Sequence, residues 1–225
     1  MPSALACERI CHTFGQNELA EPVLHDVSLA LVSGETTLLM GPSGSGKTTL
    51  LSILGCMLRP SSGKLILQGA DIDFSDRERL ARIRRDRIGF VFQHSQLLPF
   101  LTVWYNLDVV GCNANLARRE RRQTISEYLN RLDITQLANK YPKELSGGQA
   151  QRVAVARALI GRPTVILADE PSAALEWEQG QTVVRLLIEH AQEQGAAVLV
   201  VTHDTRLRPL FHRQITLTRG QLAEG

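Results

Sequence analysis

A glycine-rich stretch has the residue types and spacing typical of phosphate binding. It consists of Gly41, Pro42, Ser43, Gly44, Ser45, Gly46, Lys47, Thr48 and Thr49. Glycines let successive backbone N–H groups point at phosphate oxygens, and the N-terminus of a following helix adds a partial positive charge. Lys47 has the reach to contact the β- and γ-phosphates, and Thr48 carries a hydroxyl that can ligate Mg²⁺. The stretch therefore predicts binding of a nucleoside triphosphate, and the alternative is a glycine-rich turn before a helix.

Two acidic residues after an apolar run form the second candidate for chemistry. Residues 165–168 are apolar, and Asp169 and Glu170 follow directly. A buried strand that ends in carboxylates places them at the carboxyl edge of a sheet, where ligands of α/β folds bind. Asp169 is suited to hold Mg²⁺ through water, and Glu170 to deprotonate an attacking water as a general base. The pair alone fits a strand and a polar turn equally well, but the phosphate-binding stretch favours the functional interpretation.

Strands and helices alternate along the chain and must position these residues. Residues 36–40 are apolar and β-branched, and Leu50, Leu51, Ile53 and Leu54 recur at helical spacing, so the glycine-rich stretch joins a strand to a helix. Residues 4–32 alternate between apolar and polar and predict an antiparallel β-region with an interruption at 15–22. Further strands are predicted at 64–68, 88–92, 163–168, 197–201 and, as an edge strand, 214–218; helices are predicted at 76–87, 146–160 and 175–194. The pattern over 98–141 is helical and predicts a helical insert in an α/β core.

Length and charge restrict the class of protein. The chain has 225 residues and a formal net charge of +2, which fits one α/β domain and argues against a strongly basic nucleic-acid-binding protein. The arginines concentrate in two runs: Arg77, Arg79, Arg82, Arg84, Arg85 and Arg87, then Arg118, Arg119, Arg121 and Arg122. Acidic and apolar residues are interleaved with both runs, which favours solvated helix faces. A membrane-facing or partner-facing role is the alternative for the first run.

Hydrophobic segments of the chain are short. The longest apolar runs, 165–168 and 196–201, are far below the length that crosses a bilayer, and the first residues do not have the pattern of a signal peptide. If the protein works at a membrane, we therefore expect a partner to hold it there.

A third motif completes a recognisable order along the chain. Leu145, Ser146, Gly147, Gly148 and Gln149 precede a predicted helix, with Ser146 as its N-cap. This motif alone is also consistent with a capped helix that has a flexible entry. The phosphate-binding stretch, Gln93, this motif, the pair Asp169 and Glu170, and finally His203 follow one another in the order of the ATPase domain of ATP-binding cassette (ABC) transporters. The chain resembles that family over essentially its whole length.

The resemblance implies a fold and a mode of assembly. The implied fold class is α/β, with a P-loop NTPase core of the ABC ATPase type, an antiparallel β-subdomain and a helical insert. The single domain of residues 1–225 would divide into a core at about 1–93 and 160–225 and a helical subdomain at about 94–159 that carries the signature motif. ATP and Mg²⁺ are the implied cofactors. In the family, two copies face each other head to tail, with ATP between one copy's phosphate loop and the other's signature.

The same resemblance assigns roles to individual residues. Ser146, Gly147 and Gly148 are expected to contact the γ-phosphate in trans, with Gln149 supporting their loop. The expected catalytic residues are Glu170, His203, Gln93 and Lys47, and the expected Mg²⁺ ligands are Thr48, Gln93 and Asp169. Gln93 matches the glutamine that couples the nucleotide site to the membrane subunit, and His203 matches the switch histidine.

Several aromatic and histidine residues lie outside the motifs or at their margins. Phe14 occupies the position of the aromatic ring that stacks on adenine, with a core phenylalanine as the alternative. His12 and His25 have no motif support and are interpreted as surface or core histidines. Trp177 and the pair Trp104 and Tyr105 are expected to be packing residues.

The chain departs from the family pattern in one segment. After Pro171, where the family usually continues Thr-Ser-Ala-Leu-Asp, this chain has Ser172, Ala173, Ala174, Leu175 and Glu176. Because that segment crosses the dimer interface in the family, the departure puts communication between the two ATP sites in doubt. The hydrolytic residues themselves are intact, so we expect slow to normal hydrolysis.

A finer resemblance suggests the type of transporter. Residues 41–51, 53–56, 89–93 and 166–171 are similar to the macrolide-efflux, lipoprotein-releasing and heterocyst-glycolipid exporter group. The implied function is the ATP-hydrolysing subunit of a bacterial exporter or mechanotransmission complex, peripheral to the cytoplasmic face of the inner membrane. Its implied partners are an integral membrane permease, a second copy of the chain and a periplasmic adaptor reached through the permease, with no nucleic acid.

Two other functions remain open at this point. One is a soluble ABC ATPase that acts on DNA or ribosomes, which the short gap of about 95 residues between phosphate loop and signature, without sustained heptads, argues against. The other is a regulatory ABC subunit with low turnover, which is suggested by Ala173 and Glu176.

Overall fold

The computed structural model describes residues 3–15 and 19–224, so the predicted interruption at 15–22 lies partly outside the described residues. The strands within the described ranges are β1 (Ser3–Phe14), β2 (Glu21–Val32), β3 (Thr36–Met40), β4 (Ser62–Leu67), β5 (Ala70–Asp71), β6 (Ile88–Val91), β7 (Val165–Asp169), β8 (Ala197–Val201), β9 (Arg213–Thr218) and β10 (Gln221–Glu224). They form a four-stranded antiparallel sheet, in the order β2-β1-β4-β5, and a six-stranded sheet, in the order β10-β9-β3-β8-β7-β6.

The six-stranded sheet brings the ends of its parallel strands to one edge. β3 pairs in parallel with β8 and β9, and β7 pairs in parallel with β6 and β8. Every residue of β3, β7 and β8 is buried, as the apolar runs predict for strands covered on both faces. Because these strands run in the same direction, the residues that follow β3, β7 and β8 meet at one carboxyl edge.

The helices are α1 (Lys47–Leu54), α2 (Arg77–Asp86), α3 (Val103–Asn113), α4 (Arg118–Arg131), α5 (Gly147–Ile160) and α6 (Trp177–Gln194), and short 3₁₀ helices lie at Thr135–Leu137, Pro142–Glu144 and Thr205–Leu210. α3, α4 and α5 pack against one another. α1 is buried between the two sheets through its four apolar residues, Leu50, Leu51, Ile53 and Leu54. In the described part of the chain, no helix combines the length and the apolar character needed to cross a membrane.

The predicted α/β class with an antiparallel β-region and a helical insert is confirmed, but three details differ from the predictions. β9 is not an edge strand, because β10 pairs with its outer side through the turn at Arg219 and Gly220. Both turn residues have positive φ, 48° and 75°, as a two-residue hairpin turn of type I′ requires. The two-residue β5 was not predicted, and the helical pattern over 98–141 is interrupted by the turn between α3 and α4.

A buried polar contact links the helical insert to the core. The Tyr128 hydroxyl of α4 lies 2.8 Å from Nδ1 of His190 of α6, and both rings are buried. Burial lowers the pKa of His190 to about 4 and raises the pKa of Tyr128 to about 12. The hydrogen bond between a neutral imidazole and the protonated Tyr128 hydroxyl therefore links α4 to α6.

Candidate functional site

The loop between β3 and α1 is folded tightly enough to require glycine at two positions. Gly41 has φ +149°, and a Cβ on it would lie 2.1 Å from the backbone oxygen of Leu217 in β9. Gly46 has φ +100°, and a Cβ there would lie 2.9 Å from Cδ2 of Leu24 in β2. The loop is thus confined between the two sheets, and its backbone can approach a ligand closely.

Lys47 and the start of α1 make this loop suited to an anion. The Lys47 ammonium donates hydrogen bonds to the carbonyl oxygens of Gly41 at 2.8 Å and Pro42 at 2.7 Å, so the charge lies across the loop. Gly46 is the N-cap of α1 and offers no side-chain acceptor to the first-turn N–H groups. The buried Ser45 hydroxyl has no hydrogen-bond partner in the described residues. Unsatisfied donors beside an ammonium at a helix N-terminus fit the phosphates of a nucleotide.

The first carboxylate lies against the hydroxyl that begins α1. Thr48 Oγ1 donates to Asp169 Oδ2 at 2.8 Å, which joins α1 to the end of β7. Asp169 is buried, and burial raises its pKa although the Thr48 hydrogen bond acts in the opposite direction. A bound cation would compensate the negative charge of this desolvated carboxylate. Hydroxyl and carboxylate oxygens are ligands that Mg²⁺ prefers. Within the described ranges no cluster of three His, Cys, Asp or Glu residues could hold a metal ion.

The second carboxylate is paired with the histidine that follows β8. Glu170 Oε1 lies 2.9 Å from Nδ1 of His203, whereas Oε2 of Glu170 is buried without a partner among the described groups. Glu170 has a positive φ of 48°, which turns the chain away from the sheet directly after β7. The His203 side chain is 76% exposed, compared with 13% for Glu170. A buried carboxylate oxygen without a hydrogen-bond partner is able to accept a proton, as a general base must.

These residues surround one cavity of about 590 Å³ at the carboxyl edge of the parallel sheet. Of the predicted site residues, the cavity is lined by Phe14, Gly41, Ser43, Gly44, Gly46, Lys47, Thr48, Thr49, Gln93, Asp169, Glu170 and His203. Pro42 and Ser45 belong to the same loop without lining the cavity. Sequence reasoning did not select Glu21, Val23 or Val201, which also line it and have no motif character. Ala173, from the segment that departs from the family pattern, lines it too.

The signature residues do not line this cavity. Ser146 caps α5: its Oγ accepts the Gln149 N–H at 3.2 Å, and Oε1 of Gln149 accepts the Ser146 N–H at 3.0 Å. A Cβ on Gly147 would meet no atom of the described residues within 4 Å, whereas one on Gly148 would lie 3.1 Å from the Ala174 backbone oxygen. The motif is therefore a rigid, capped helix start whose Gly147 faces open space.

A second cleft, of about 470 Å³, lies next to the loop that carries Gln93. Phe92 and Gln96 line this cleft, whereas Gln93, between them in sequence, lines the first cavity. Arg157 of α5 donates to the carbonyl oxygens of Gln96 at 2.6 Å and Ser95 at 2.9 Å, and Gln151 donates to that of Phe92 at 3.1 Å. α5 therefore holds the loop that connects the two cavities. Sequence reasoning missed these contacts because they run from side chain to backbone.

The first arginine run contributes to the wall of this cleft. Arg84 and Arg85 of α2 line it. Arg84 donates to the Cys56 carbonyl oxygen at 2.9 Å, and Arg85 pairs with Asp86. The expectation of merely solvated faces was therefore incomplete for this run.

The aromatic residues follow the predictions with one exception, Tyr105. Phe14 is not a core residue, because it is 44% exposed and lines the nucleotide-sized cavity. Trp104 and Trp177 pack against the core as expected, and the guanidinium carbon of Arg206 lies 4.0 Å from the centroid of the Trp177 ring. Tyr105 was predicted to pack but is 57% exposed, because its position on α3 faces away from the core.

The pair of Glu170 and His203 leads to a titration prediction. The hydrogen bond that the His203 ring donates to Glu170 is the main cause that raises the pKa of His203 above its ordinary value of 6.5, and the negative charge of Glu170 adds to it. The interaction is fully present below the unfolded-state pKa and is lost as the pH rises through the raised folded-state pKa. An NMR titration of the His203 ring should give a midpoint above 6.5, and Glu170→Gln should lower it.

Asp204→Asn is the matched control, because Asp204 raises the pKa of His203 only by a weaker charge interaction. It should lower the midpoint less than Glu170→Gln does. An unchanged midpoint in Glu170→Gln would show that the two side chains do not interact in solution.

Fold and site together define a nucleoside-triphosphate-binding domain of the phosphate-loop class. The family model described as ABC transporter matches residues 24–173. The macrolide export ATP-binding/permease protein MacB of Marinobacter nauticus is 42% identical over 215 residues, which cover 96% of this chain and 33% of that protein. The ABC transporter ATP-binding protein YtrE of Bacillus subtilis is 38% identical over 93% of this chain and 90% of that protein. The dimeric structure of MJ0796, a bacterial ABC transporter cassette, matches with a TM-score of 0.91 at 36% identity, covering 98% of each chain.

The chain therefore belongs to the ABC transporter family and carries its ATPase domain. It spans about a third of the length of the MacB relatives that it matches.

Proposed function

We propose that this chain is the ATP-hydrolysing cassette of a bacterial membrane transporter of the exporter or mechanotransmission type. The observation that carries the proposal is the convergence of Lys47, Thr48, Asp169, Glu170 and His203 on one cavity of about 590 Å³. This set combines a phosphate cradle, a cation-suited carboxylate and a candidate base. The resemblance to MacB, whose name describes macrolide export, supports the exporter type.

The predicted site residues of the cavity have separate tasks in hydrolysis. Lys47 and the loop N–H groups bind the phosphates, and the Phe14 ring stacks on the adenine. Glu170 accepts a proton from the attacking water as the general base. His203 orients Glu170 and contacts the γ-phosphate. Thr48, Gln93 and Asp169 are the residues that would hold Mg²⁺, which supplies charge neutralisation for the phosphates when it is bound.

A second copy of the chain completes the site. Because Ser146, Gly147 and Gly148 do not line their own chain's cavity, they are available to a nucleotide bound by another copy. The open space at Gly147 leaves the start of α5 accessible to that nucleotide. The similar cassette MJ0796 forms a dimer, and one of its structures contains ADP and phosphate. A head-to-tail dimer is therefore our proposal for the active form.

The loop 92–96 is the proposed route from the nucleotide to a permease. Gln93 lies at the nucleotide cavity, and Phe92 and Gln96 lie at the second cleft. We propose that this loop transmits a displacement of Gln93 to the second cleft. Arg157 ties the same loop to α5, the helix that begins at the signature. We propose that the helical subdomain, at about 94–159, moves with this loop. In this proposal the second cleft receives a segment of an integral permease at the cytoplasmic face of the inner membrane, and a periplasmic adaptor joins through that permease.

A low-turnover regulatory subunit is the second candidate, and Ala173 is the observation that favours it. Ala173 lines the nucleotide cavity in the segment where the family usually has a serine, so this chain lacks a hydroxyl there. The intact set of Lys47, Asp169, Glu170 and His203 favours turnover instead.

Copurification of a membrane partner tests the transporter proposal. Tagged Glu170→Gln protein should retain ATP in a closed dimer, and purification from detergent-solubilised membranes with ATP should recover a stoichiometric integral membrane protein. Lys47→Ala is the control, because loss of the ammonium should weaken ATP binding and reduce recovery of the partner. Recovery of ribosomal or DNA-bound material alone would contradict the transporter proposal and favour the soluble alternative.

A further inference from the structure

Two aromatic rings meet at the end of β1, next to the nucleotide cavity. His12 and Phe14 are two residues apart, and their ring centroids lie 4.5 Å apart with the planes at 81°. His12 is only 6% exposed, whereas Phe14 is 44% exposed and lines the cavity. One ring of the pair is therefore held in the core, and the other forms part of the cavity wall.

A histidine is an unusual residue at the buried position 12. Neither of its ring nitrogens has a hydrogen-bond partner within the described residues. Burial of a polar group without a partner costs free energy, which an aliphatic side chain in the same space would avoid. The perpendicular arrangement with Phe14 offers compensation, because edge-to-face aromatic pairs are favourable and a ring N–H can point at an aromatic face.

The surroundings of His12 connect it to the phosphate loop. His12 pairs with Leu24 across β1 and β2. A Cβ on Gly46 would lie 2.9 Å from Leu24 and 3.0 Å from the Val23 backbone oxygen, so β2 contacts the loop. Val23 and Phe14 both line the cavity. His12 thus lies directly behind the wall formed by Phe14, without lining the cavity itself.

We propose that His12 is a positioning residue for the nucleotide base: its ring fixes the orientation of Phe14, so that the exposed face of Phe14 remains available for stacking. This inference rests on the proposed role of Phe14 as the base platform. His12 does not touch the nucleotide, and its effect reaches the base through Phe14 alone. Loss of the His12 ring should therefore weaken binding of the base and leave binding of the phosphates unchanged.

Binding of ATP and of inorganic tripolyphosphate separates these two effects. His12→Leu and His12→Gln both remove the ring, and each should raise the Kd for ATP by about threefold to tenfold, the range that an edge-to-face pair contributes. His12→Phe keeps a ring in place and should restore binding to within about twofold of the wild type. The Kd for tripolyphosphate, which has no base, should be unchanged in all three variants.

Phe14→Ala and the double variant complete the design. Phe14→Ala should weaken ATP binding without affecting tripolyphosphate, and adding His12→Leu should weaken it no further, because His12 acts through Phe14. If His12→Leu and His12→Gln leave ATP binding unchanged while Phe14→Ala weakens it, the inference about His12 is wrong and the platform stands. If Phe14→Ala itself has no effect, the platform and the inference both fail. Equal weakening of ATP and tripolyphosphate by the His12 variants would show a merely structural role and overturn the inference.

Discussion

Glu170→Gln is expected to lower the steady-state rate of ATP hydrolysis by about 10²- to 10⁴-fold, which is the usual contribution of a general base. The amide has the shape of the carboxylate but cannot accept the proton of the attacking water. Oε2 of Glu170 is buried without a partner in the described residues, so it is the oxygen free to take that proton. Lys47 and the phosphate loop are untouched, so the Kd for ATP should change by less than about threefold.

Phosphate release and equilibrium ATP binding measure the two halves of this prediction. Glu178→Gln is the matched control, because it makes the same chemical change on the exposed first turn of α6, outside the cavity. Its rate should remain within about twofold of the wild type, as expected for a surface substitution. A Glu170→Gln rate close to that of the wild type would exclude Glu170 as the base.

The same assay decides between the transporter ATPase and the low-turnover subunit. Both rates are measured with the permease present. If the wild-type rate of ATP hydrolysis is no higher than that of Glu170→Gln, hydrolysis is not the function of this chain. The altered residues Ala173 and Glu176 would then explain the low turnover. A clear difference between the two rates would show that the hydrolytic residues work despite that departure.

The features that the sequence predicts correctly are local ones. The phosphate loop lies between a buried strand and an amphipathic helix, and all three are adjacent in sequence, so their types and order are visible from residues 36–54. Ser146 was predicted to cap α5, and its Oγ accepts the N–H of Gln149, three residues later. Asp169 and Glu170 end an apolar strand, and parallel strand direction alone places them at the sheet edge.

The features that the sequence does not predict depend on distant contacts. Arg157 binds carbonyl oxygens that lie 61 and 62 residues earlier, and no residue type in 92–96 indicates this. The pairing of β10 with β9 depends on a turn of only two residues, and short strands give little periodicity. His12 resembles any buried histidine in sequence, and only the geometry relates it to Phe14.

Gly41→Ala is the second substitution with a large expected effect, because two constraints act at once on this residue. Its φ of +149° is a conformation that side chains rarely adopt, and the added Cβ would lie 2.1 Å from the Leu217 backbone oxygen. Carbon and oxygen make ordinary contact at about 3.3 Å, so the loop or β9 must move by about 1 Å. The Gly41 carbonyl oxygen is also a hydrogen-bond acceptor of Lys47, so this movement displaces the ammonium. A misplacement of about 1 Å in a binding site can cost about 100-fold, and we expect a loss of this size in both ATP affinity and turnover.

Gly34→Ala separates the clash from the backbone strain. Gly34 also has a positive φ, of 77°, but a Cβ on it would meet no atom in the described part of the chain within 4 Å, and Gly34 lies outside the nucleotide cavity. Its substitution should lower the free energy of unfolding by about 1 kcal/mol and leave ATP binding unchanged. Calorimetric titration with ATP, together with urea denaturation of both variants, makes the comparison. If folded Gly41→Ala protein binds ATP as tightly as Gly34→Ala does, the loop is not confined by β9 in solution. If only Gly41→Ala loses affinity for ATP, the close approach of β9 to the loop holds Lys47 in position to bind the phosphates.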